Sequence, residues 1–107
     1  MTIDIDANTE RFWELSEPLM GGPVAEGTMM GSRCLRVNGD FAAMIHSKTG
    51  ELIVKLSAEA VLEEIDAGHG AAFAPNGRVF KEWMAVTADD DASWQRLIGA
   101  AVDHAGG

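Results

Sequence analysis

The sequence is short of cysteine, of long apolar runs and of N-terminal cations, and each shortage excludes a class of protein. The single cysteine, Cys34, cannot form an internal disulfide, which fits a reducing compartment. No apolar stretch approaches the roughly 20 residues that a membrane-spanning helix needs. Residues 1–8 include Asp4 and Asp6 but no cation, whereas a secretory signal begins with basic residues. We therefore expect a cytoplasmic protein without a membrane segment.

Basic residues are also scarce along the whole chain. Eight Lys and Arg residues accompany 17 Asp and Glu residues, so the formal net charge is −9 at pH 7. Such a chain is repelled by nucleic-acid phosphates and by anionic lipid unless its charges are segregated. Between residues 28 and 56 the balance reverses, because cations outnumber acids there. The charges therefore disfavour a nucleic-acid partner, but they predict a mildly basic sheet within an acidic domain.

The length and composition indicate one globular unit. The 107 residues are enough for one domain with one core. Hydrophobic residues make up 47% of the chain and charged residues 23%, which is typical of a folded protein. We interpret residues 1–107 as a single domain whose ends, 1–7 and 106–107, are flexible.

The centre of the chain predicts a three-stranded antiparallel meander. Asn38-Gly39 is a strong hairpin signal, because a type I′ turn needs positive φ at both central residues. The predicted strands are Met29–Val37, Phe41–His46 and Leu52–Leu56, and we interpret Gly21–Gly27 before them as a loop. Strand alternation places Leu52, Val54 and Leu56 on one side, which we expect to face the helices.

Helical patterns flank this meander. The first predicted helix is capped by Asn8 or Thr9 and runs to about Glu17. The second, Ala58–Ala67, begins after the N-cap Ser57. Its predicted buried residues are Val61, Leu62 and Ile65. The third opens at Asp89–Asp91, where carboxylates favour a helix N-terminus. Its apolar stripe comprises Trp94, Leu97, Ile98, Ala101 and Val102.

Two more strands, Ala71–Ala74 and Val79–Thr87, are predicted around the turn signal Pro75-Asn76-Gly77. In the second of them, Phe80 shares a face with Met84 and Val86. The predicted order is α-β-β-β-α-β-β-α, which is an α+β domain with a single antiparallel sheet.

No constellation of residues with catalytic or metal-binding spacing is recognisable. The histidines His46, His69 and His104 are too widely separated for a zinc site, and one cysteine cannot complete one. The acids of the second and third helices lack the alternating oxygen ligands of a calcium loop. We interpret Cys34 as a buried strand residue rather than a nucleophile. We therefore predict no catalytic residue, no metal and no cofactor.

One set of side chains could contact a partner. Cations beside an aromatic ring can bind an anionic partner or single-stranded nucleic acid. The simpler interpretation is that strand cations face water and discourage edge pairing. The candidate partner-contact residues are Arg33, Arg36, Lys55, Lys81 and Trp83.

Two segments are similar to a known family. These are residues 29–56, with Met29-Met30-Gly31-Ser32 at the start, and residues 73–86, which include Gly77-Arg78-Val79-Phe80. Together they resemble the TfoX N-terminal domain family, found at the start of the Sxy competence regulators and alone in small bacterial proteins. The family pattern has Met-Phe-Gly-Gly, where this chain has Met30 for Phe and Ser32 for the second Gly. The YjbR-like group is a second, related resemblance.

The resemblance implies a secretion-chaperone-like fold with the element order already predicted from the residues. It also implies a regulatory or adaptor role in the bacterial cytoplasm rather than a known reaction. Our leading hypothesis is a non-enzymatic interaction module that acts by protein contacts, with an unknown protein partner or as a homodimer. One alternative is a nucleic-acid-binding regulator that uses the basic sheet. Another is a small enzyme or ligand-binding protein that uses Cys34 or a pocket near His69 and Trp83.

Overall fold

The computed structural model describes residues 4–29 and 31–106. Three helices and six strands follow one another along the chain, with a 3₁₀ turn, Glu17–Leu19, after the first helix. In order they are α1 (Ile5–Ser16), β1 (Val24–Met29), β2 (Ser32–Val37), β3 (Asp40–Ile45), β4 (Leu52–Lys55), α2 (Ala58–Asp66), β5 (Gly70–Ala72), β6 (Trp83–Val86) and α3 (Asp91–Gly106).

The six strands form one antiparallel sheet in the order β1-β2-β3-β4-β6-β5. The predicted α+β class with a single antiparallel sheet is confirmed. The Asn38-Gly39 turn is also confirmed, because both residues have positive φ, 52° and 86°, and Val37 pairs with Asp40 on either side. Local turn chemistry thus sets the register between β2 and β3.

The predicted strand Met29–Val37 is wrong, because the chain turns back within it. Gly31 has a φ of 77°, and β1 and β2 pair on either side of this turn. β1 therefore occupies part of the segment that we interpreted as a loop. The structure gives a steric reason for Gly27 within β1. A Cβ at this position would lie 2.5 Å from Cδ of Arg36. The strand thus makes room for the arginine side chain that crosses it.

One face of the sheet carries the main core. Leu52, Val54 and Leu56 are buried there beneath the helices, as predicted. α3 contributes four buried residues from its predicted stripe, Trp94, Leu97, Ile98 and Ala101, whereas Val102 is half-buried.

The first helix begins earlier than predicted. Asp4 rather than Asn8 or Thr9 caps α1, since its carboxylate accepts a hydrogen bond from the Ala7 N–H at 3.0 Å. Of the ends predicted to be flexible, residues 5–7 form the first turn of α1 and Gly106 ends α3. Residues 1–3 and 107 lie outside the described residues.

The opposite face of the sheet is covered as well, but not by a helix. A second cluster of buried residues lies there, namely Cys34, Phe41, Met44, Ile53, Phe73 and Ala85. Phe80, in the connection between β5 and β6, and Trp83, at the start of β6, pack against it. The prediction that Phe80 shares a face with Met84 and Val86 is therefore wrong.

The connection between β5 and β6 replaces the predicted long hairpin. The Gly77 N–H donates to the Ala74 carbonyl at 3.3 Å, so the turn forms where it was predicted. The flanking strands are shorter than predicted, since β5 ends at Ala72 and β6 begins at Trp83. Residues 73–82 leave the sheet plane because their aromatic side chains cover its second face.

α2 buries fewer of its side chains than its apolar sequence pattern predicts. Val61 is buried and Ile65 is half-buried, but Leu62 is 68% exposed, so its predicted burial is wrong. α2 packs over β5 and β6 at the end of the sheet.

We predict that the second cluster contributes strongly to stability. Phe73→Ala should lower the free energy of unfolding by about 3–5 kcal/mol, because it removes a buried ring that contacts Phe80 and Trp83. Urea denaturation would measure the loss. The exposed neighbour Asn76→Ala is the control and should change stability by less than about 0.5 kcal/mol. A loss below about 1 kcal/mol for Phe73→Ala would contradict a structural role for the cluster.

Candidate interaction surface

The structure separates Arg33 from the other predicted partner-contact residues. Its guanidinium donates to both carboxylate oxygens of Glu26, at 2.6 and 2.8 Å, and lies 4.7 Å from the centroid of the Trp13 ring of α1. This hydrogen bonding holds the pKa of Glu26 below its ordinary value. Arg33 is thus engaged within the chain, on the helix side of the sheet.

Arg36 is likewise occupied. Its guanidinium donates to the Gly39 carbonyl and to the Thr28 carbonyl, each at 2.7 Å. The side chain thereby ties the β2–β3 turn to the edge strand β1. Because its donors are directed at the main chain, Arg36 contributes more to the sheet than to a free basic surface.

The remaining three predicted residues lie together. Lys55 and Trp83 are cross-strand partners on β4 and β6, and exposed Lys81 lies two residues before Trp83. The Trp83 ring stacks on Phe41 with 4.4 Å between ring centroids and 19° between planes. Trp83 is therefore held rigidly while one part of it stays accessible.

A groove with mainly apolar walls borders this group, between α2 and residues 79–83. We call it the apolar groove, and its volume is about 310 Å³. Leu62 and Val79 both line it and are 68% and 55% exposed. Large apolar side chains with this exposure at one site are typical of a binding surface. Its lining residues are Ala58, Val61, Leu62, Ile65, Ala72, Val79, Phe80, Lys81 and Trp83.

A second groove, the polar groove, lies next to it and has a volume of about 610 Å³. Its walls are the loop after β3 and the segment after β5, and they carry His46, Lys48 and Glu51 beside Phe73. The His46 ring meets Phe73 edge-on at 5.8 Å between centroids and accepts a hydrogen bond from the Lys48 N–H at 3.3 Å. Ala72 lines both grooves, so the two flank the short strand β5.

A hydrogen-bonded network of charged side chains connects α2 and α3 near the start of β5. Arg96 of α3 donates to both carboxylate oxygens of Glu64 at 2.7 and 2.8 Å, and Nδ1 of His69 lies 2.8 Å from one of them. The His69 N–H also donates to the Glu64 carbonyl, and the His69 carbonyl accepts from the Thr87 N–H. The network therefore joins α2, α3 and β6 at the residue that precedes β5.

The electrostatics of this network follow from its hydrogen bonds. The Arg96 guanidinium, with a smaller contribution from His69, lowers the pKa of Glu64 from its ordinary 4.5 to about 2. Glu64 is mostly buried, so an unpaired carboxylate would be costly there. His69 does not line the apolar groove, which borders Trp83.

Cys34 lies in the second cluster with no exposed surface. Burial raises the pKa of its thiol, which favours the neutral thiol over the nucleophilic thiolate. Among residues 4–29 and 31–106, no three His, Cys, Asp or Glu side chains are grouped so that they could hold a metal ion. In the same part of the chain, no helix is both long and apolar enough to span a membrane.

No protein-family model matches this chain, and no curated protein matches its sequence. The function is therefore argued from the geometry of these two grooves. Sequence reasoning identified Lys55, Lys81 and Trp83 but missed the exposure of Leu62 and Val79. No feature of the sequence indicated it for Leu62, because the helical period places Leu62 with Val61 and Ile65.

We predict that Glu64→Gln makes stability less dependent on acid pH. The pKa of folded Glu64 lies below 4.5, so its ion pairing stabilises the fold above about pH 5 and is lost as pH falls toward 2. At pH 6 the variant should be less stable by about 1–2 kcal/mol, a value reduced for the exposure of Arg96.

Urea denaturation at pH 6 and at about pH 3 would measure this, and the difference between wild type and variant should shrink by more than about half. The control is Glu63→Gln on the exposed face of α2, which should match wild type at both pH values. A difference that stays constant with pH would contradict the assigned role of Glu64.

Proposed function

We propose that this protein is a non-enzymatic interaction module of the bacterial cytoplasm, of the TfoX N-terminal type, that acts by binding another protein. The observation that carries the proposal is the apolar groove. Leu62 and Val79 expose large apolar side chains on opposite walls of it, beside Trp83 and Lys81. Interfaces concentrate their binding energy in a few aromatic and apolar anchors of this kind.

The rigidity of the walls supports this proposal. Trp83 is stacked on Phe41 and Phe73, and α2 is tied to α3 by the bidentate Glu64–Arg96 ion pair. A groove whose walls are already ordered loses little conformational entropy when a partner binds. The groove is thus suited to recognition without a large rearrangement of the domain.

The charge distribution favours protein over nucleic acid. Arg33 pairs with Glu26, and Arg36 donates to main-chain carbonyls, so both guanidinium groups are already engaged. With a net charge of −9, long-range repulsion of phosphates is not offset by a continuous basic surface. We therefore propose that the protein works as an adaptor or regulator through protein contacts, as the TfoX resemblance implies.

We predict that a photo-cross-linking residue at position 79 captures one specific protein from native cell extract, whereas the same residue at position 20 does not. Leu62→Asp on the opposite wall should reduce capture by about tenfold or more, because it places a charge in the groove. Leu62 is 68% exposed, so the substitution should leave the fold intact. Gel analysis and mass spectrometry would measure capture.

The matched control is Met20→Asp, which alters an exposed apolar residue away from the groove and should leave capture unchanged. Capture that survives Leu62→Asp, or that is lost equally with Met20→Asp, would contradict the assignment of the groove as the binding surface.

A further inference from the structure

The apolar groove is bordered by acids on its α2 side. On α2, Leu62 is flanked by Glu59 three residues before it and by Asp66 four residues after it, and side chains at these spacings are neighbours on a helix surface. Glu63 follows Leu62 directly. All three acids are exposed, and none has an ion-pair partner within the part of the chain that the structure describes. We call this the acidic side of the groove.

The other side of the groove is basic. Lys81 is the only charged side chain among the described residues that line the groove, and it is exposed. Exposed Arg78 precedes Val79, and Lys55 is the cross-strand partner of Trp83, which also lines the groove. Among residues 4–29 and 31–106, no carboxylate lies within ion-pair distance of these three cations. We call this the basic side.

An occupant of this groove has to match three features at once. It needs an apolar centre for Leu62 and Val79, cations toward α2 and carboxylates toward residues 78–81. An apolar centre with a charged rim is typical of a protein interface. The groove itself presents the same three features, with acids and cations on different sides of its apolar lining. This surface is therefore complementary to a second copy of itself.

Two-fold symmetry brings the complementary parts together. If the symmetry axis runs along the groove between two facing copies, the acidic side of each copy meets the basic side of the other. Every contact in such an isologous interface occurs twice. Leu62 of one copy then approaches Val79 of the other, and the acids of α2 approach Arg78 and Lys81. Both kinds of contact favour association, because apolar surface is buried and opposite charges are paired.

We infer that the apolar groove binds a second copy of this chain, as a two-fold dimer in which α2 of each copy lies against residues 78–81 of the other. The inference rests on the proposed function, because it uses the same binding surface and names the protein bound there. The net charge of −9 repels the two copies at long range, so only local pairing at the groove holds them together. We therefore expect a reversible dimer that dissociates on dilution.

Sedimentation velocity on the purified chain, between about 10 µM and 1 mM, tests this dimer. We expect the mass to rise from 11.4 kDa toward twice that value as the concentration increases. Leu62→Asp should weaken association by about tenfold or more, because it places a charge in the apolar centre. Met20→Asp is its control and should leave association unchanged, since Met20 is exposed but does not line the groove.

Reversing the charges of one side at a time tests the pairing. Glu59→Lys with Glu63→Lys makes both sides basic, and Arg78→Glu with Lys81→Glu makes both sides acidic. Each double variant alone should remain a monomer, whereas an equimolar mixture should restore a dimer that contains one copy of each. Circular dichroism should show wild-type folding in both variants, because all four residues are exposed.

The matched control is Glu10→Lys with Glu14→Lys, which replaces two exposed acids of α1. This variant changes the net charge by the same amount as the reversal on α2 but leaves the groove unaltered. It should therefore retain the concentration-dependent dimer. Loss of the dimer in this control would show that net charge rather than the groove governs association, and the inference would be wrong.

A photo-cross-linking residue at position 79 locates the contact. In a mixture of isotope-labelled and unlabelled chains, mass spectrometry should find this residue joined to α2 of the other copy. A monomer at every concentration, a dimer that survives both charge reversals, or cross-links to another element would overturn the inference.

Failure of the inference is distinguishable from failure of the proposed function. If the chain stays monomeric while position 79 captures a different protein from cell extract, the inference fails and the proposed function stands. If the groove forms the dimer and the extract yields only this chain, the inference stands and a partner of another sequence is excluded. If the chain stays monomeric and nothing is captured, both fail.

Discussion

The stacking of Trp83 on Phe41 is the contact on which the rest of this molecule depends. β3 and β4 bury apolar side chains on both faces, so the sheet needs a cover on each side. Helices cover one face. The other is covered by residues 73–82, whose Phe73 and Phe80 rings pack around Trp83. Paired aromatic rings of this kind add about 0.5–1.5 kcal/mol each beyond the area they bury.

Residues 73–82, which cover the second face, shape the surface at one end of the sheet. Since residues 73–82 leave the sheet plane, β5 is only three residues long and Val79 is left exposed. α2 packs on the same end of the sheet with Leu62 exposed, and the Glu64–Arg96 ion pair ties the helix to α3. Residues 73–82 thus contribute to the lining of both grooves.

The two edge strands of the sheet, β1 and β5, have different surroundings. At one edge, the Gly21 bridge engages the main chain of β1, and the Arg36 side chain donates to the Thr28 carbonyl. β5 forms the other edge, and its Ala72 lines both grooves.

Local sequence patterns predict much of this architecture. The type I′ turn at Asn38-Gly39, the helix-facing side of β4 and the stripe of α3 were all predictable, because turn chemistry and periodicity act over a few residues. The sequence by itself therefore determined the α+β class and most of the element order. Only the tertiary structure decided that β1 pairs with β2, that Phe80 packs on the second face, and that Leu62 and Val79 line one groove. These outcomes depend on contacts between residues far apart in the chain, which no local period encodes.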